Sequence, residues 1–329
     1  MTATGAPRKY IAGKRRITMY MTWSYPAETR LDLGNCDNRY SALAEARRIF
    51  YPAMEQFSDP KKFDQRIEGT MDMFASDFQT AQQVMQEVSQ QAVPIVQRVN
   101  KAGDLTQLDK GLLDDVDTLI VLTGDHSCTN QRPHAVEVQA LRQFLSREGT
   151  RLVVCPHHDV GASADWATRE IEHNHHGDPI VSGQDRWSGF VRSLFEIFDI
   201  PVENRYGLSP AKLKGTNQPA PLSIAADLDT PGLLKGVTTF NVHMHLPHLA
   251  LTKDDAKSSV RVLATQPVNP DAPPHPFVQA GNREFNALLW LPPSGKRASD
   301  VLITDVTHFM TMFGGKESMQ CFWQNLARW

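Results

Sequence analysis

Four short stretches hold most of the groups able to do chemistry: "TGDHS" at 123–127, "VCPHHD" at 154–159, "NVHMH" at 241–245 and "TDVTHF" at 304–309. In "HMH", His243 and His245 are two residues apart, so on an extended chain their rings project to one side and can reach a single ion. His157, His158 or Asp159 supplies the third ligand, with His126 as a further candidate. A nitrogen-rich set suits zinc, and a mixed imidazole–carboxylate set suits zinc, iron or manganese. Such an ion lowers the pKa of a bound water and polarises a carbonyl, which leaves Asp159 or Asp125 to handle the proton. Cys155 offers a competing chemistry, attack by a thiolate with a histidine such as His245 as base. Its structural alternative is a small buried hydrophobe at a strand end.

These groups need a scaffold that gathers them. "RITMYMTW" (16–23), "DTLIVLTGD" (117–125) and "RLVVCP" (151–156) read as strands, the last two being continuous apolar runs of the kind buried on both faces. Between them Val136, Ala140, Leu141, Phe144 and Leu145 recur at helical spacing up to Gly149, completing a strand–helix–strand unit. Helical patterns also cover 41–57 and 78–102, the latter with a break at Pro94, and strands resume in 237–246, 258–268, 284–291 and 300–309 before a closing helix at 317–329. Residues 160–235 read as a helical insertion or lid. The expectation is one α/β domain over 1–329, three-layered and built on a mostly parallel sheet. In such a sheet ligands bind outside the carboxyl ends of the strands. That rule brings Trp23, Asp125, His126, His157, His158, Asp159, His243, His245, Asp305 and His308 to one crevice.

The pair "DTLIVLTGDHS" and "FLSREGTRLVVCPHHD" resembles the class I glutamine amidotransferase-like superfamily, of flavodoxin-like layering, as does the closing 301–329 segment. The resemblance implies a nucleophile at Cys155 and a following histidine at His158. Two departures bear on activity. Pro156 has no N–H to offer an oxyanion hole, and the family's His-Pro-Glu has only "HMHLPH" as an echo.

The 329 residues carry a net charge of -3 with a pI near 6.5, which gives nucleic-acid binding no basic surface to rest on. "KRR" at 14–16 is a short solvated cluster, and the four cysteines are too scattered for a disulfide framework. No apolar run reaches membrane-spanning length, and neither a Gly-rich dinucleotide loop nor a Walker loop occurs, so no nucleotide cofactor is indicated. A cytoplasmic location follows as the expectation. Trp23, Arg30, Arg39 and His308 are the substrate-binding candidates, and the C-terminal aromatics Phe322, Trp323 and Trp329 could pack on a second copy in a homo-oligomer. "HNHHGD" at 173–178 reads as imidazoles at a helix C-terminus, with His173 or His176 joining the crevice if the insertion folds over it. The function expected is hydrolysis of a C–N or related polar bond in a small molecule with metal assistance. The rivals are a metal-free Cys155 hydrolase and a non-catalytic ligand-binding or assembly module.

Overall fold

The computed structural model describes residues 13–29, 60–177, 185–253, 259–295 and 297–329. The expected helix at 41–57, together with Arg30 and Arg39, lies outside them.

The chain runs β1 (Ile17–Ser24), α1 (Tyr25–Thr29), α2 (Pro60–Ser89), β2 (Ile95–Val99), α3 (Lys110–Leu113), β3 (Thr118–Leu122), α4 (Ala135–Leu145) and β4 (Arg151–Cys155). It continues through β5 (Asp159–Val160), α5 (Trp166–His176), β6 (Asp185–Arg186), α6 (Gly189–Ile197), β7 (Val202–Leu208), β8 (Ser223–Ile224) and β9 (Leu246–Leu251). The last elements are β10 (Arg261–Pro267), α7 (Pro276–Gln279), β11 (Glu284–Leu291), β12 (Asp300–Thr304) and α8 (Lys316–Arg328).

Eight strands form the central sheet in the order β2-β1-β3-β4-β12-β11-β10-β8. The first five are mutually parallel, and β11, β10 and β8 continue the sheet in antiparallel pairings. The apolar runs explain the centre: β1 is buried along all eight residues and β3 along all five, as strands covered on both faces must be. Alternation then sorts them. Met19, Met21, Ile120, Leu122, Val153 and Cys155 face the layer of α2 and α8. Tyr20, Leu119, Val121, Leu152 and Val154 face that of α4 and α6. The register sets Leu122 beside Cys155 and Ile303 beside Val154, so the ends of β3, β4 and β12 share one rim.

Several local readings differ from this structure; the strand expected over 300–309 ends at Thr304, where the Asp305 carboxylate caps a 3-10 turn over Val306–Phe309. After Pro94 the chain is a strand, because proline disfavours helix at the residue before it and cannot donate to the preceding turn; Ile95 and Val96 are then buried beside β1. Residues 237–245 are not a strand, since β9 begins only at Leu246. The 160–235 stretch contains β5, β6, β7 and β8 as well as helices, and α6 buries Phe190, Val191 and Leu194 in the main core. Of the C-terminal aromatics, Phe322 and Trp323 are fully buried in this chain's own core and Trp329 is half-buried. Among the described residues no helix is long and apolar enough to cross a membrane.

Candidate metal centre

Where β4 ends, the backbone of the two histidines is held by neighbouring segments. The His157 N–H donates to Ser188 Oγ at 2.7 Å, its carbonyl accepts from the Asn204 amide, and the His158 carbonyl accepts from the Trp187 N–H at 3.3 Å. A second arm approaches just before β9. There the His243 N–H donates to Asn241 Oδ1 at 3.2 Å, and the Asn241 amide donates to the Thr307 carbonyl at 2.7 Å. Although this arm is not a strand, it alternates as one: Met244 is 47 % exposed while His243 and His245 are buried.

The result is a closed group of imidazoles. Ligand nitrogens of His157, His158 and His245 all lie within 4.8 Å of one another. Ring centroids are 4.2 Å apart for His157 and His158, 4.8 Å for His158 and His245, and 4.3 Å for His243 and His245. From α5, His176 stacks on His245 at 4.0 Å and brings its Nε2 to 3.3 Å from His158 Nε2. Asp305 Oδ2 lies 3.0 Å from His157 Nδ1, and its other oxygen accepts from the N–H and hydroxyl of Thr307. Burial alone would raise this carboxyl, but His157, His308 and the Thr307 donor together hold it below the usual range. An ionised carboxylate on Nδ1 fixes the His157 tautomer and turns Nε2 inward, which is the common outer support of a metal-bound imidazole.

The remaining candidates fall elsewhere, each for a definite reason. His126 is buried beyond Trp187, whose ring is 5.2 Å from it and 6.2 Å from both His157 and His158, so the tryptophan separates it from the cluster. Asp125 accepts from the Thr22 hydroxyl and from the Phe190 N–H at 3.0 Å, which makes it an anchor between β1 and the start of α6 rather than a base. Asp159 is tied to Arg192 at 2.9 Å and Arg186 at 3.3 Å. Trp23 packs beside Phe74 and Phe78 with its indole against Gly124, where even a Cβ would come within 2.0 Å of Nε1, so it serves the core and not a substrate. His308 is buried under Phe240, bonded to Thr304 and pushed down by burial to about 4; it backs the site from below.

Cys155 is fully buried on the α2 side, and burial reinforced by the Asp305 charge drives its thiol well above the ordinary range. A thiol so held is a poor nucleophile. Alkylation of the native protein is expected to leave Cys155 unmodified, with labelling at that position only on unfolding; rapid native labelling, read by peptide mass mapping, would restore the thiolate chemistry.

Beside His126, burial raises Glu28 to about 8 and Asp125 to about 6. Both carboxyls therefore hold protons more tightly folded than unfolded, so their contribution is complete below pH ~4 and is lost as pH climbs toward 8. The buried histidines act oppositely: His308 and His248 at about 4 and His275 at about 3, all lowered by burial, give stability that is lost as pH falls below their unfolded value. Among these five groups, Glu28 is the one still changing above pH 7. Denaturant midpoints should thus fall between pH 7 and 8 by roughly 1 kcal/mol equivalent, and Glu28→Gln should flatten that slope.

Sequence signals for Asp305 and His176 existed, since both occur in the polar stretches at strand and helix ends. What was missing was the pairing of distant segments. No protein-family model matches this chain, and no curated protein matches it either. Among solved structures, the chain is similar to one described as "mmIFT52 N-terminal domain", with 11 % identity, 76 % of this chain and 89 % of that chain covered, and a TM-score of 0.42. At that level the chemistry has to be read from the residues of the site itself.

Proposed function

We propose that the protein is a metal-assisted hydrolase acting on a C–N or related polar bond of a small molecule, with His157, His158 and His245 holding a divalent ion. The observation that carries this reading is the convergence of three imidazole nitrogens with a carboxylate orienting one of them. Three neutral nitrogen donors match the ligand count of catalytic zinc sites. The ion's contribution is to acidify a water and polarise the bond to be cleaved. The chain's own residues supply the rest. Asp305 aims His157, Trp187 walls one side, and His243, 5.1 Å ring to ring from His157, is a further imidazole placed to move a proton. This is a role that Asp159 and Asp125 are too firmly engaged to take. Met244, 47 % exposed, marks the solvent side of this arm, and Phe313 packs edge-on against His243. The parallel order β2-β1-β3-β4-β12 supports the finer fold reading, flavodoxin-like and amidotransferase-like.

A second reading has an observation in its favour. All five rings are buried, as in a closed structural site, which suits a non-catalytic binding or assembly module. One experiment separates the two. Elemental analysis of the purified chain should find one divalent ion per molecule, and a panel of small amides, ureas and amidines should be hydrolysed until a chelator is added and again after zinc is restored. No stoichiometric metal would sink the metal reading; metal without hydrolysis would leave the binding module.

A further inference from the structure

We propose that His176, carried by α5 outside the parallel sheet, is a fourth ligand, and that the ion it helps to hold belongs to the zinc, copper and nickel class rather than to manganese. This rests on the metal reading above and extends it to a residue and a metal class.

The first argument is a distance. Two nitrogens bound to one tetrahedral ion at about 2.0–2.1 Å sit about 3.3 Å apart, since the edge of a tetrahedron is about 1.6 times its radius. His158 Nε2 and His176 Nε2 are 3.3 Å apart. The second argument is that the approach is built. His176 and His245 stack at 4.0 Å with planes 26° apart, and the β7 backbone passes beside them at Gly207. A Cβ there would come within 2.5 Å of His176 Cδ2 and 2.9 Å of His245 Cβ, so any larger residue would displace both rings.

The third argument is that α5 is clamped just before His176. Glu172 accepts from the Gly161 N–H at 2.8 Å, and His175 is bonded to the Pro273 carbonyl and accepts from the Ser209 N–H at 3.1 Å. The helix closes at Gly177, whose φ of 89° is the left-handed C-cap that glycine adopts most easily. His176 is therefore aimed inward by a fixed helix end. His176 lies outside the three nitrogens that already converge within 4.8 Å and joins them along its 3.3 Å edge to His158; its ligation would give four imidazoles from three separate segments, with no carboxylate or water needed to complete the set. Such an all-nitrogen set favours zinc, copper or nickel, whereas manganese prefers oxygen. Hydrolysis then requires a fifth position on the ion or exchange of one ligand, and zinc sites do expand to five.

The test uses the full chain stripped with chelator and reloaded with zinc or cobalt, comparing wild type with His176→Ala and His176→Gln; glutamine keeps much of the volume. Expected are an affinity loss exceeding the ~10–100-fold that an outer partner's removal costs and, with cobalt, replacement of intense tetrahedral visible bands by the weaker bands of higher coordination. Wild type should also take up zinc in preference to manganese. Melting of the chelated proteins measures the void left by the lost ring, smaller for glutamine than for alanine, and the further difference on zinc loading is the ligand effect, which separates ligand loss from misfolding. If wild type holds one zinc while both variants bind it as tightly, with unchanged cobalt spectra, His176 is no ligand and the proposal fails, although the three-histidine reading stands. If wild type binds no divalent ion, both fall.

Discussion

Replacing His158 with alanine is expected to release the divalent ion and to abolish the melting-temperature difference between zinc-loaded and chelated protein. His158 is the hub of the cluster: its ring lies 4.2 Å from His157, 4.6 Å from His176 and 4.8 Å from His245, and it is fully buried. Without it His157 loses its neighbouring ligand on the same arm, and the donors left come from separate segments. An ion that binds the native state alone stabilises it by about 4 kcal/mol when present at a thousand times its Kd, and that is the contribution His158→Ala removes. The lost ring also leaves a void, which costs stability with or without metal. Melting both proteins in chelator measures the void alone, and the further difference in zinc is the ligand effect. Asp305→Asn is expected to sit between them, weakening the ion by about 10–100-fold, because it leaves the three nitrogens in place and removes only the charge that fixes the His157 tautomer. Equal zinc-induced shifts in wild type and His158→Ala, read by calorimetry, would show that the histidines pack together for another reason.

How much of this was legible in the sequence depends on the range of the interaction. β11 over "EFNALLWL" and β3 over "TLIVL" follow directly from period and apolarity, because burial on one or both faces leaves a local record. The "HMH" arm is instructive: its backbone is not the strand that was expected, yet the side-chain alternation holds, since any extended segment with Met244 outside must turn His243 and His245 in. The 150s and 240s do meet, as their positions outside strand ends predicted. Asp125 and His126 reach the same rim but not the same centre, because Trp187, from the segment that precedes α6, stands between. The Asp305–His157 pair spans 148 residues and exists only because β12 pairs with β4, an adjacency that no local pattern encodes. Likewise nothing around Asp159 announces Arg186 and Arg192 as its partners.

The other large effect lies far from the imidazoles. Glu137 is fully buried on α4 and takes bonds from five donors. They are Arg98 Nη2 at 2.9 Å and Nε at 3.2 Å, the Tyr20 hydroxyl at 3.0 Å, the His134 N–H at 2.8 Å and the Leu108 N–H at 3.4 Å. Its partner Arg98, on β2, is only 3 % exposed in its side chain. The exposed Lys110–Asp114 pair, four residues apart on a short helix, makes a useful contrast, being worth only about 0.3–0.5 kcal/mol. Glu137→Ala strips the charge from a guanidinium that cannot return to water, so the expected loss is about 3–5 kcal/mol. The Gln131 side chain and the Arg132 carbonyl, each 3.0 Å from Arg98, would remain as neutral acceptors and cannot replace a charge. Replacing both partners with apolar residues, as in Arg98→Met with Glu137→Leu, should be milder than either single change, because the cost lies in the orphaned ion and not in the missing pair. Denaturant midpoints of the two singles and the double decide it. Since neither Arg98 nor Glu137 is bonded to the clustered histidines at 157, 158, 176, 243 and 245, zinc uptake per folded molecule should be unchanged in every variant. A single substitution that cost less than 1 kcal/mol would mean that water reaches Arg98, and that the join between β2 and α4 is looser than its bonds imply.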